Sequence, residues 1–177
     1  MNPSNSRHAW WIRAGRFAAA LFVLQQVWSF ARGTWLERAV IDHATVGTAV
    51  ALIHRMVPSL TVAASGSRIV AAGGGINVLN GCEGTEVLFL LFAALAAAPI
   101  SLRARLLGAV LGTGWVFALN QCRLVLLFFS YRNDRVLFDQ LHGVVAPLIL
   151  VAMVLLFFQW LIRWDGRQSA ALTQGAA

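Results

Sequence analysis

From Leu141 to Ile162 the chain runs without one Asp, Glu, Lys or Arg. As a helix rising about 1.5 Å per residue, that stretch is about 33 Å long, enough to cross the hydrocarbon core of a bilayer. A second long run, Leu106 to about Ser130, is interrupted by a single charge, Arg123. With 59% hydrophobic and 12% charged residues over 177 positions, the chain is too apolar for an ordinary soluble domain. The composition predicts an integral membrane protein.

The net charge of +7 comes from 14 basic residues, all arginine. They flank the apolar runs in short clusters, where orientation signals belong, so no nucleic-acid partner is expected. Arg13 and Arg16 precede an apolar stretch without a small-residue cleavage site, which reads as a first span. Spans are expected at about 14–32, 85–99, 105–130 and 141–163, in one membrane domain covering 1–177. Placing the N-terminal lead, Arg103/Arg105 and Arg163/Arg167 in the cytoplasm puts both termini inside. The region of about 35–82 and a polar turn at Tyr131–Arg135 then lie outside, and Gln168–Ala177 is expected to be a disordered tail.

The outer region has its own pattern. Leu36–Val57 reads as an amphipathic helix ended by Pro58, either lying on the membrane surface or packed on the bundle. Leu60–Ala64 and Arg68–Val70, joined through Ser65-Gly66-Ser67, read as a β-hairpin. Gly73-Gly74-Gly75 lacks the residues of a phosphate loop and reads as a turn before the extended run Ile76–Leu79. In the third span, Gly108, Gly112 and Gly114 suit close helix contact. The expected fold is an all-α membrane protein: a four-transmembrane-helix bundle with an interfacial amphipathic helix and a small outer-face β-hairpin subdomain.

Three polar interruptions carry the chemistry. Asn80-Gly81-Cys82-Glu83-Gly84-Thr85-Glu86 stands at the mouth of the second span, Asn120-Gln121-Cys122-Arg123 inside the third, and Asp139-Gln140-Leu141-His142 at the start of the fourth. Ionisable groups at such depths are costly and mark functional sites. Helix rise places Arg123 about 25 Å along an outward-running span, level with Cys82 and His142. A thiolate stabilised by a cation is a nucleophile; an imidazole can move its proton, and a guanidinium can hold an oxyanion. Cys82, Arg123 and His142 are therefore the candidate catalytic residues. Asn80, Glu86 and Asn120 are candidate supporting or substrate-binding groups, with Asn120 one helical turn before Arg123 to orient it and Glu86 to pair with Arg123. Cys122 points away from Arg123 and reads as a packing residue. No His/Cys group has zinc spacing, and no metal or cofactor is expected. Two rivals remain: a thiol redox protein using Cys82 and Cys122, and a non-enzymatic membrane assembly factor.

These residues resemble the exosortase/archaeosortase family of membrane-embedded cysteine transpeptidases, in its compact, exosortase H-like type. The resemblance rests on Cys82-Glu83-Gly84 before a span, Asn120 to Arg123 within the next and His142 opening the following one, and covers Asn80 to Trp164. It implies a Cys-His-Arg site at the outer face of the inner membrane. The implied substrates are secreted proteins with a C-terminal tail of short motif, transmembrane helix and basic cluster, cleaved through a Cys82 thioester and passed to an acceptor. Thr85 stands where an apolar residue is expected.

Overall fold

The computed structural model describes residues 3–78 and 82–174 and is mostly helical. Helix α1 spans Pro3–Ala31. A second helical run starts with α2 (Trp35–Arg38), loosens into a π-helical stretch over Ala39–Gly47 and continues as α3 (Thr48–Met56). Strands β1 (Val62–Ser65), β2 (Arg68–Ala71) and β3 (Ile76–Asn77) follow. After them come α4 (Thr85–Ala97), α5 (Leu102–Asn133), α6 (Arg135–Gln140), a π-helical stretch at Leu141–Val145, and α7 (Ala146–Gln174).

Among the described residues, two helices are long and apolar enough to cross a membrane: Leu102–Asn133 and the unbroken run Arg135–Ala171. Helix α4 is equally apolar but has 13 residues, about 20 Å, less than a hydrocarbon core. Helix α1 lies against α4, and α4, α5 and α7 pack on one another. Their shared core is Leu91, Leu95, Val116, Val154 and Leu161. Gly108 and Gly112 let the helices approach, because a Cβ at either would overlap Leu161 or Leu91. Gly114 meets no neighbour, so only two of the three expected small-residue contacts form.

The expected hairpin is present and gains a strand. β1 and β2 pair antiparallel, and β3 adds to β2, giving the order β1-β2-β3. The glycine triplet makes the β2–β3 turn, and a Cβ at Gly75 would collide with the Ile69 carbonyl oxygen. The sheet, the second helical run and the C-terminal half of α5 share another core, built on Ile41, Val46, Ile53, Ile69, Leu124 and Phe128.

Three expectations are corrected here. The apolar stripe of the second helical run faces the sheet and α5, with Val46, Ala49 and Ile53 fully buried, so protein rather than lipid covers it. The polar turn at 131–135 shrinks to one residue: α5 continues through Asn133, and Asp134 at once caps α6 by accepting from the Val136 and Leu137 N–H groups. His142 therefore sits within a helix instead of opening one. Helix α7 runs on to Gln174, so the described part of the expected disordered tail is helical.

Helix α5 has 32 residues, about 48 Å, and serves both cores in series. Gly108, Gly112 and Val116 belong to the bundle, whereas Leu124, Leu127 and Phe128 belong to the sheet core. Asn120, Gln121 and Arg123 are buried at the junction between them. At its other end, α5 is fixed to α7. The Ser101 N–H and hydroxyl donate to the Asp165 carboxylate at 3.0 and 2.5 Å, and Ser101 Oγ caps Ala104.

Candidate active site

Cys82 stands in a short non-helical segment that ends at Gly84, whose φ of +84° is a left-handed conformation. A side chain there would be strained, and it would also lie 3.1 Å from Asn120 Cγ. Backbone conformation and close approach together require glycine. The contact sets the thiol-bearing segment directly on α5, at the junction of the two cores.

From that junction the Arg123 guanidinium reaches back to the thiol, with Nη2 donating to Cys82 Sγ at 4.0 Å. Cys82 also lines a cleft of about 450 Å³. Asn77, Tyr131, Phe138 and His142 also line that cleft. His142 is fixed by stacking on Phe138, one turn earlier, with centroids 5.4 Å apart and planes 6° apart. Phe138 in turn meets Tyr131 edge-on, and the Arg135 guanidinium covers the Tyr131 ring at 3.8 Å. His142 lies in the π-helical stretch Leu141–Val145, a local widening that changes where successive side chains point and that often occurs at functional sites. Its Nδ1 is buried without a hydrogen-bond partner among the described residues.

Thus Cys82 and His142 line one cleft, and the Arg123 guanidinium contacts the Cys82 sulfur at its wall. Arg123 itself lines a neighbouring groove of about 160 Å³, apolar apart from Arg123 and Cys122, between α5 and α7. Cys122 is exposed there, not packed as expected, and both cysteines are free thiols.

The supporting residues sort differently from expectation. Asn80 lies outside the described residues. Glu86 is exposed, and the buried carboxylate beside the thiol is Glu83. The reason is local: the helix begins only at Thr85, so counting one helical turn from Cys82 does not apply. Glu83 accepts a hydrogen bond from Thr85 Oγ1 at 2.8 Å, which gives the unexpected threonine a role in holding that carboxylate. Asn120 is buried beneath Gly84, and neither of its amide atoms has a hydrogen-bond partner among the described residues, so it does not orient Arg123 by a hydrogen bond. Gln121 donates to the Thr45 carbonyl at 3.3 Å and ties α5 to the second helical run.

Burial pushes the Cys82 thiol above its ordinary pKa, outweighing the opposite pull of Arg123. The Glu83 and Glu86 carboxylates add to the upward shift. The resting group is therefore a neutral thiol that needs a proton acceptor before it can attack.

Sequence reasoning missed Glu83, Tyr131, Phe138 and Asn77. The Phe138–His142 spacing of four residues was a usable signal once Asp134 was recognised as a helix cap. Comparison of the chain with family models, curated proteins and solved structures returns no match.

Proposed function

We propose that the chain is a membrane-embedded cysteine peptidase or transpeptidase of the exosortase/archaeosortase type, acting on the C-terminal tails of secreted proteins. The observation that carries this reading is the contact of the Arg123 guanidinium with the Cys82 sulfur at the wall of a cleft that also contains His142. His142 takes the proton from Sγ, and the thiolate attacks the carbonyl carbon of the scissile peptide. Arg123 stabilises the oxyanion that forms. Collapse expels the amine of the tail, which receives the proton held by His142, and leaves the protein as a thioester on Cys82. An acceptor nucleophile or water then attacks the thioester and releases the thiol.

The same reading places α1, α4, α5 and the α6–α7 run as four spans of the inner membrane, with both termini cytoplasmic and the cleft outside. Two features support it. Arg103, Arg105, Arg163 and Arg167 gather at the end of the bundle opposite the cleft, where cytoplasmic anchors belong. Large apolar side chains such as Val110, Leu148 and Ile149 are more than half exposed, and only 17% of the apolar window in the Arg135–Ala171 run is buried, unlike the core helix of a soluble protein.

The test is co-expression with a secreted reporter carrying a tail of short motif, apolar helix and basic cluster. Wild-type protein is expected to remove the tail, read by intact mass. Cys82→Ala, Arg123→Ala and His142→Ala are expected to leave it in place while remaining in the membrane. Full processing by Cys82→Ala overturns the proposal.

A further inference from the structure

Strand β3 forms part of the cleft wall, and its hydrogen-bonding pattern exposes an unused edge. The Val78 N–H donates to the Ser67 carbonyl at 2.8 Å, and Ile76 stands opposite Ile69 two positions away. Bonded and non-bonded pairs alternate along an antiparallel ladder, so the pair between them, Asn77 and Arg68, is non-bonded. The Asn77 N–H and C=O therefore point away from β2, toward the edge where β3 has no strand partner among the described residues. The Asn77 side chain does not compete for that edge, because its Oδ1 accepts from Ser67 Oγ at 3.0 Å.

Gly75, Ile76 and Asn77 line the same cleft as Cys82 and His142. A free peptide edge thus borders the space in which the thiol would act. The rest of the wall is apolar or aromatic, with the half-buried Tyr131 and Phe138 offering surface to side chains that project from an extended chain.

Resting on the peptidase reading above, we infer that the substrate binds as an added β-strand. An extended segment next to its scissile bond pairs with the Asn77 peptide groups and extends the sheet to β1-β2-β3-substrate. The occupant is an unfolded peptide stretch, because a helix has no free N–H and C=O groups to offer a strand edge. Pairing of this kind recognises main chain, so the cleft selects conformation at β3 and side chains at its aromatic wall.

Two independent changes test the inference in the reporter assay. Asn77→Pro removes the outward N–H but no β2–β3 ladder bond, the placement in which an edge strand tolerates proline. It is expected to slow tail removal at least tenfold, with Asn77→Ala at least fivefold faster than Asn77→Pro. Alkylation of Cys82 by iodoacetamide, which needs no strand, is expected to stay within twofold of wild type in both variants. Separately, a proline scan through the reporter residues preceding the tail helix leaves the enzyme unaltered. It is expected to give losses at alternate positions, the period of strand pairing. Wild-type processing by Asn77→Pro, or a scan without alternation, overturns strand addition while leaving the peptidase reading intact. Processing that survives Cys82→Ala removes the peptidase reading itself. If Asn77→Pro also loses iodoacetamide labelling, the proline scan alone decides, in either direction.

Discussion

The Arg123 guanidinium lies 4.0 Å from the Cys82 sulfur, although 41 residues separate them and they sit on different elements. The contact exists because α5 passes from one core to the other at Asn120–Arg123, and because Gly84 lets the thiol segment settle on that junction. A positive charge here opposes the effect of burial on the thiol. Arg123→Ala should therefore leave Cys82 less ionised. Iodoacetamide labelling at pH 7.5 is expected to slow. Arg123→Lys keeps the charge but not the planar fork, so it should label faster than Arg123→Ala yet still fail to remove the reporter tail. Equal labelling of wild type and Arg123→Ala would contradict the electrostatic role.

The pH profile of Cys82 follows from the direction of its shift. Burial, Glu83 and Glu86 all favour the neutral thiol, so the labelling rate should continue to climb past the pH at which an ordinary thiol levels off. Glu83→Gln removes one of the charges that raise the value. The midpoint should then move down, and labelling at pH 7.5 should rise. A midpoint that moves up would show that Glu83 acts on the thiol in some other way.

Local sequence signals made much of this fold legible. Alternation around Ser65-Gly66-Ser67 gives β1 and β2, apolar length gives α5 and α7, and Gly108 with Gly112 marks the tight helix contact. These depend on neighbours within a few positions. What stayed hidden depends on helix boundaries or on tertiary contact. A single residue, Asp134, ends α5 and starts α6, which moves His142 from a helix start to an interior π-helical turn stacked on Phe138. That Glu83, and not the expected Glu86, is the carboxylate packed beside the thiol follows from a helix start three residues after Cys82. The burial of Asn120 beneath Gly84 and the facing of the amphipathic helix toward the sheet have no local signature, because both are set by what packs against them.

Cys122 separates the peptidase reading from its redox rival. It is exposed on α5 in the groove beside Arg123, whereas Cys82 lines the cleft. Cys122→Ser should leave tail removal within about twofold of wild type, the range expected of a surface change. Intact mass under non-reducing conditions should match two thiols. A disulfide between the two cysteines, with loss of function in Cys122→Ser, would favour the redox protein.

The bundle core offers a test that does not involve chemistry. A Cβ at Gly112 would overlap Leu91, and Phe157 stands 3.2 Å away on the other side. Gly112→Val should make the Leu91 and Phe157 side chains repack and cost about 1–3 kcal/mol, as overpacking does in well-filled cores. Thermal unfolding in detergent should register the loss. Gly114→Val, at a position with open space, should fall within about 0.5 kcal/mol of wild type. Equal effects at the two glycines would mean that the close approach at Gly112 is not what holds the three helices together.

Gly84 joins the fold to the site, and its substitution should affect both. Any side chain there meets a left-handed backbone, at about 1–2 kcal/mol, and must also displace the Asn120 amide 3.1 Å away. Gly84→Ala should thus lower stability and lift the Cys82 segment off α5, opening the 4.0 Å contact with Arg123. Removing the obstruction with Asn120→Ala relieves the second cost but not the first. In a double-mutant cycle, Gly84→Ala should therefore be less destabilising in the Asn120→Ala background than in wild type, by about 0.5–3 kcal/mol for residues in direct contact. Labelling of Cys82 should recover in parallel, since the thiol segment can settle again. Strict additivity of the two changes, in stability and in labelling, would show that Gly84 is required for its backbone conformation alone.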